Sequence, residues 1–221
     1  MTSILDLFLP MRCVVCGAGG GSICSSCEGS LKRLGLPFCN RCGAPTAWPV
    51  ERCRECSGRR IAFAHARAAV AYDESAKRIV GAWKERGQRS LSRIAAEIVD
   101  GVVARPDAYT LTFVPPDHNR YLRRGHNPAE RLAAELGSRW QLPVLALLCR
   151  ASGVGAQRGL SLAERRRNVR GVFKATGRCP SSIVLVDDVY TSGATVSVAA
   201  TALRKAGARR VEVVTFARAV R

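Results

Sequence analysis

No stretch of the sequence is apolar for long enough to cross a bilayer, and none reads as a secretory leader. The first nine residues, Met1 to Leu9, are apolar but carry Asp6, lack a basic start and stop at Pro10, whereas a membrane helix needs about 20 apolar residues. The expectation is a short amphipathic lead-in helix on a cytoplasmic protein with no transmembrane segment. Acids are scarce as well: 17 Asp and Glu face 35 Lys and Arg, for a net charge of +18. That imbalance points to phosphate-bearing ligands, nucleic acid or both. Lysine is rare, with five against 30 arginines. Guanidinium forks suit phosphate, but a GC-rich genome produces the same ratio, so the ratio alone decides nothing. The location of the charge says more, because residues 118–180 hold thirteen Lys and Arg against three Asp and Glu, ten of the eighteen excess charges. With 221 residues, 47% of them hydrophobic, the chain can bury one α/β core plus a small accessory module.

Cysteine is nearly absent after residue 56, where only Cys149 and Cys179 occur, each read as an ordinary core or loop thiol. The other eight fall in four C-x-x-C pairs: Cys13/Cys16, Cys24/Cys27, Cys39/Cys42 and Cys53/Cys56. This spacing lets two thiolates on a tight turn face one tetrahedral ion, and Gly17 and Gly43 follow two of the pairs, as a turn needing φ > 0 would require. Disulfides need an oxidising compartment, which the missing export signal argues against. Redox chemistry is disfavoured because the repeats lack the strand-to-helix context of such motifs. The simplest assignment is two consecutive Cys₄ zinc sites, Cys13, Cys16, Cys24 and Cys27 followed by Cys39, Cys42, Cys53 and Cys56. Interleaved pairing also satisfies the spacing. With four sulfurs per ion no position is open to water, so both zincs would be structural.

From about Ile61 the pattern changes to short apolar runs alternating with amphipathic helices, placing a domain boundary near 57–64: a cysteine module over 1–60 and a second domain over 61–221. The expected strands are Ala66–Tyr72, Leu111–Val114, Val144–Leu148, Ser182–Val186 and Val211–Phe216. Helices are expected over Ser75–Glu85, Leu91–Val103, Ala129–Trp140 and Ala194–Ala206. Strands alternating with helices, several fully apolar, predict a parallel or mostly parallel sheet covered on both faces, an α/β fold. Lys84 and Arg86 close a helix at Gly87, where they either complement its dipole or contact a ligand. Trp48, Trp83 and Trp140 are read as packing residues, and His65 and His118 as hydrogen-bonded structural ones.

The sharpest signal is Ile183-Val184-Leu185-Val186-Asp187-Asp188-Val189-Tyr190-Thr191-Ser192-Gly193-Ala194-Thr195-Val196. An apolar strand ends in two acids, turns through a hydroxyl-rich loop and opens into a helix. Backbone N–H groups at the helix start, with the hydroxyls of Thr191, Ser192 and Thr195, can wrap a phosphate, and Gly193 lets the backbone approach. The acid pair suits two neighbouring sugar hydroxyls. A phosphorylated ribose fits the segment.

This segment resembles the type I phosphoribosyltransferases, whose motif for 5-phosphoribosyl-1-pyrophosphate (PRPP) is an apolar strand, two acids and a Thr/Ser-Gly-x-Thr loop. The resemblance implies that Asp187 and Asp188 hold the ribose hydroxyls and that Thr191, Ser192, Gly193, Ala194 and Thr195 hold the 5′-phosphate. Two further segments narrow it: Val114-Pro115-Pro116-Asp117-His118-Asn119-Arg120-Tyr121-Leu122-Arg123-Arg124-Gly125-His126-Asn127, and the arginine-rich run from Gln157 to Phe173. With the cysteine ribbon in front, the whole chain resembles the ComF family, competence-associated phosphoribosyltransferase-like proteins that include the GntX type. There the first segment corresponds to a pyrophosphate loop, matched by Arg120, Arg124 and Gly125, with His126 and Pro128 where Phe and Gln are common. The second matches a flexible loop that can close over PRPP, through Gln157, Leu160, Ser161, Arg165, Asn168 and Phe173.

On this resemblance PRPP and Mg²⁺ are the expected ligands and zinc the structural metal. Catalysis would rest on Asp187, Asp188 and Arg124, which position the ribose and meet the charge of departing pyrophosphate. No catalytic base is evident, and nothing reads as a purine or pyrimidine pocket, so the acceptor and the oligomeric state are left open. The family's association with DNA uptake implies a second reading: a non-enzymatic protein that binds single-stranded DNA, works with the uptake machinery and keeps the PRPP pocket as a sensor.

Overall fold

The apolar segments beyond residue 60 pair into a sheet of four parallel strands in a computed structural model that describes residues 11–85, 88, 90–151 and 172–220. In chain order the elements are α1 (Ser25–Gly29), β1 (Ala66–Ala71), α2 (Glu74–Glu85), α3 (Leu91–Asp100), β2 (Thr110–Phe113), α4 (His118–Arg124), α5 (Pro128–Trp140), β3 (Leu148–Arg150), β4 (Phe173–Ala175), β5 (Ser182–Tyr190), α6 (Ala194–Lys205) and β6 (Arg210–Arg218). The sheet order is β1-β6-β5-β2, and β3 and β4 form a separate antiparallel pair.

The central strands show why the sheet must be covered twice. In β5, Val184 and Val186 pack with α2, α3 and α5 on one face, whereas Ile183 and Leu185 pack with α6 on the other, and all four are fully buried. A strand apolar on both sides is stable only between two layers, each buried Val or Leu contributing about 1.5–3 kcal/mol. The second layer is unusual. Beside α6 it contains Cys39, Cys42 and Cys56 with Phe63, packed in the same buried cluster as Ile183, Leu185, Val211 and Val213. The N-terminal segment also closes one sheet edge, since the Leu34 N–H donates to the Ala69 carbonyl (2.8 Å) and the Ala71 N–H to that of Lys32 (2.8 Å).

Helix starts follow local chemistry. The Asp73 carboxylate accepts from the Ala76 N–H (3.0 Å) at the start of α2, and the Asn127 side chain accepts from the Ala129 N–H (3.1 Å) ahead of Pro128 in α5. Gly193 caps the start of helix α6, with φ 72°. A Cβ there would overlap the Tyr190 ring and hydroxyl, so glycine is required twice over.

The structure corrects several expectations. Val144–Leu148 is not a strand of the main sheet. Pro143 and Leu145 exchange hydrogen bonds with Leu111 beside β2, through a single bridge at Val144, and the strand proper is Leu148–Arg150, which turns away to pair with β4. β5 does not stop at Val186. It carries Asp187 and Asp188 within it and ends at Tyr190, because its neighbour β6 continues to Arg218 and supplies pairing partners that far. The loop after Val114 contains a helix, α4, capped by Asp117 and ended by Gly125 at φ 67°. Trp83 and Trp140 are buried, but Trp48 is 69% exposed. The lead-in segment and the run from Gly159 to Gly171 lie outside the described residues. Among the described residues no helix is long and apolar enough to cross a membrane.

Candidate functional site

At the carboxyl end of the sheet, between the end of β5 and α4, lies a cavity of about 550 Å³. It is the position at which parallel α/β sheets bind ligands. β5 brings Asp187 and Asp188 to it, the turn into α6 brings Thr191 and Thr195, and α4 brings Arg120 and Arg124 from the opposite wall. Six of the residues singled out in the sequence therefore share one cleft. Ser192, Gly193 and Ala194 form the turn and first helical residue behind Thr191, and Gly125 ends α4; none of these four lines the cavity wall.

The cleft is charged in both senses. Lys84 at the end of α2 places Nζ 2.6 Å from Asp188 Oδ1, settling its role as a cleft residue rather than a free dipole partner. Arg150 reaches in from β3, 3.8 Å from Asp117 Oδ2, with its guanidinium over the Phe173 ring. Arg124 and Arg123 both pair with Glu85, and the Arg124 guanidinium holds that carboxyl below the usual range. Sequence reasoning did not assign Tyr72, Asp117, Asn127 or Arg150 to the site. Asp117 and Asn127 carried a signal, as helix caps flanking the arginine segment. Arg150 had none, because its strand belongs to the small second sheet. Arg86 and the matched positions from Gln157 to Asn168 lie outside the described residues.

His126, expected where phenylalanine is common, is buried with Nδ1 2.9 Å from the Arg124 carbonyl and Nε2 3.0 Å from the Trp83 carbonyl, joining α4 to α2. His118 is exposed at the start of α4 and does not line the cleft. His65 bonds the buried Glu212 at 3.1 Å, a structural contact.

Burial at the cleft floor, reinforced by the adjacent Asp188, pushes the Asp187 carboxyl up to about 8 from its ordinary 3.8. The folded state then binds a proton that the unfolded chain has released, so stability declines as pH rises between about 4 and 8. We expect Asp187→Asn to flatten this decline. Urea midpoints at pH 5.5 and pH 8 should differ more for the unchanged chain than for the variant; equal differences would refute the assignment.

The cysteines form two groups, Cys13, Cys16, Cys24, Cys27 and Cys39, Cys42, Cys53, Cys56, in each of which all ligand sulfurs lie within 4.8 Å of one another. The pairing is consecutive, not interleaved. Sulfurs on a tetrahedral zinc at about 2.3 Å must be about 3.8 Å apart. Here Cys16–Cys24 is 3.7 Å, Cys39–Cys56 3.6 Å, Cys42–Cys53 3.5 Å and Cys53–Cys56 3.9 Å, so both groups fit structural zinc. Gly17 and Gly43 take φ 79° and 69°, as the turns require.

A parallel sheet flanked by helices and built onto a pair of four-cysteine clusters defines an α/β protein with a double zinc ribbon. A double zinc ribbon family model matches residues 4–57. Competence protein F of Haemophilus influenzae is 29% identical, over 96% of this chain and 99% of that protein. Competence protein ComFC of Streptococcus pneumoniae is 25% identical, over 94% of this chain and all of that protein. Over nearly its whole length the chain is therefore similar to these competence proteins, with a double zinc ribbon at its N-terminal end. Among solved structures, a glutamine PRPP amidotransferase from B. subtilis aligns with 58% of this chain and 26% of its own, at 23% identity and a TM-score of 0.41.

Proposed function

We propose that the cleft binds PRPP with Mg²⁺ and that the protein transfers its phosphoribosyl group to an acceptor, releasing pyrophosphate. The observation that carries this reading is the meeting of Asp187, Asp188, Thr191 and Thr195 with Arg120 and Arg124 around one cavity. In this reading the domain over 61–221 holds the ligand. The two acids accept from the ribose hydroxyls, and the turn from Thr191 to Thr195 faces the 5′-phosphate with its hydroxyls and the N–H groups of the helix start. Arg120 and Arg124, with Lys84 and Arg150 behind them, meet the pyrophosphate charge. The oxygen-rich floor suits a hard cation, and Mg²⁺ bound with PRPP would add charge neutralisation at the leaving group. Binding would free Arg124 from Glu85, so the ligand replaces a carboxylate with phosphate oxygens at that fork. The test is pyrophosphate release from PRPP across ammonia, nucleobases and DNA. Release above the acceptor-free rate with one of them supports a transferase; binding of PRPP with no release under any condition makes the cleft a sensor.

A second reading, single-stranded DNA binding by a protein linked to DNA uptake, is favoured by one observation and by the relatives' names. Arg52, Arg59 and Arg60 of the second ribbon are exposed around an open cavity of about 540 Å³ with no acidic residue in its lining. A groove of this kind tracks phosphates with little sequence preference. Fluorescence anisotropy with single-stranded DNA should show binding at 50 mM salt that weakens by at least about tenfold at 200 mM, as release of a few counterions requires. No binding at the lower salt would remove this reading.

A further inference from the structure

Among the described residues, two buried side chains, Arg218 and Tyr190, link the second cysteine cluster to the proposed phosphate loop. Arg218, the last residue of β6, is 1% exposed. One guanidinium nitrogen, Nη1, donates to the Cys42 carbonyl at 2.7 Å. The other, Nη2, donates to the Glu55 carboxylate at 2.8 Å and lies 3.6 Å from Cys42 Sγ, a sulfur of the second cluster. On its other side the guanidinium lies over the Tyr190 ring, 4.5 Å from the centroid. Tyr190 is also held edge-on by Phe63, with ring centroids 6.3 Å apart. The Tyr190 hydroxyl in turn fills the space beneath Gly193, where a Cβ could not fit.

The contacts therefore run from Cys42 through Arg218 and Tyr190 to Gly193, the residue that starts α6 and sets the turn between Thr191 and Thr195. Each link is specific. A fully buried guanidinium must have its charge met, and here Glu55 and the Cys42 sulfur meet it. Groups that donate to a metal's ligands fix ligand orientation and tune metal affinity by about 10–100-fold. The first cluster has no such tie among the described residues. It reaches the body of the protein through Val14, Val15 and Ile23 at the edge of the other core cluster, and through the Val15 carbonyl accepting from Arg78 at 2.7 Å.

We propose that Arg218 is a positioning residue that couples metal occupancy of the second cluster to the shape of the loop from Thr191 to Thr195, so that zinc there and PRPP in the cleft strengthen one another. The partner identified is the same ligand as in the proposed function, and for that part the inference rests on it. Coupling of this kind is reciprocal. Zinc fixes Cys42, Cys42 fixes Arg218, and Arg218 holds the Tyr190 ring against the turn; a ligand that orders the turn therefore stiffens the cluster from the other end.

The test uses the full-length, zinc-loaded chain. Arg218→Lys keeps the charge but removes the fork and the planar face over Tyr190. It should retain two zincs and exchange amide hydrogens faster over residues 190–196, with β2 unchanged, and bind PRPP about tenfold more weakly, within the range of site-to-site coupling. In a Cys16→Ser chain, whose remaining zinc belongs to the second cluster, saturating PRPP with Mg²⁺ should slow zinc transfer to a chelating dye about tenfold, again the size of a typical coupling. That slowing should vanish when Arg218→Lys is added. Unchanged exchange over 190–196 in Arg218→Lys, or zinc transfer indifferent to bound PRPP, overturns the proposal. Should Arg218→Lys fail to fold, the dye measurement in the Cys16→Ser chain decides. If the chain binds no PRPP, the functional reading fails by itself, and the exchange experiment, which uses no ligand, still decides whether Arg218 supports the loop.

Discussion

Replacing both acids at the cleft floor, Asp187→Ala with Asp188→Ala, should abolish Mg²⁺-dependent PRPP binding in calorimetry. Asp188 would lose charge-assisted hydrogen bonds worth about 1.5–3 kcal/mol, and Asp187, largely protonated below pH 8, neutral ones worth about 0.5–1.5 kcal/mol; about 2–4.5 kcal/mol for the pair is a loss of roughly thirtyfold or more in Kd. A melting curve separates this loss from misfolding. In the free protein the two acids sit side by side, and burial together with Asp188 already disfavours charge on Asp187. Removing both relieves that repulsion while freeing Lys84 to solvent or to phosphate. The double variant should therefore melt no earlier than the unchanged chain at pH 8, while failing to bind. Undiminished binding in the variant would place the sugar phosphate somewhere other than this cleft.

Loss of metal from the second cluster should damage the fold far more than loss from the first. Elemental analysis should give two zincs per chain. A single ligand change, Cys56→Ser or Cys16→Ser, should each leave one. The two variants differ in what the lost metal was holding. Cys39, Cys42 and Cys56 are buried in the same cluster as the central strands, whereas Cys16 is exposed and Cys24 and Cys27 are partly so. Structural zinc contributes an apparent 10–16 kcal/mol or so in small modules, comparable with the about 5–15 kcal/mol that holds a whole domain. If a third of that is lost from the core, Cys56→Ser should lower Tm by about 10–15 °C, using about 2–4 °C per kcal/mol for a chain of this size. Cys16→Ser should shift it by only a few degrees on the same scale. Equal shifts would show that the second ribbon is not part of the core.

The four strands of the main sheet, the helices that flank it and the acid–hydroxyl segment were legible because each depends on local pattern. The unbroken apolar run from Ile183 to Val186 and the 3.6-residue periodicity of the helices can be read without knowing what lies across the sheet. The cysteine spacing gave the number of metal sites, and the folded chain resolved their pairing. What escaped was set by neighbours distant in sequence. β5 runs past Val186 only because β6 accompanies it to Arg218. Val144 lies beside the sheet for one bridge before the chain leaves to pair with Phe173–Ala175, so Arg150 could not be placed in the cleft from its surroundings. At its helix end, Lys84 suited both dipole compensation and ligand contact, and only Asp188, 104 residues away, draws it into the cleft. Helix α4 was within reach, since Asp117 and Gly125 are ordinary start and stop signals, but a segment of seven residues is too short for periodicity to declare. Arg218 carried no signal at all, because its meaning lies in a sulfur 176 residues earlier.

The segment laid along β1 and the residues beside β2 have a consequence for assembly. Lys32 and Leu34 occupy backbone groups of Ala69 and Ala71 on one flank, and Pro143 and Leu145 occupy those of Leu111 on the other. Strand-by-strand recruitment of another polypeptide, the usual hazard of an open sheet, is blocked at both flanks. At the edges of the main sheet, contacts with another polypeptide must therefore go through side chains.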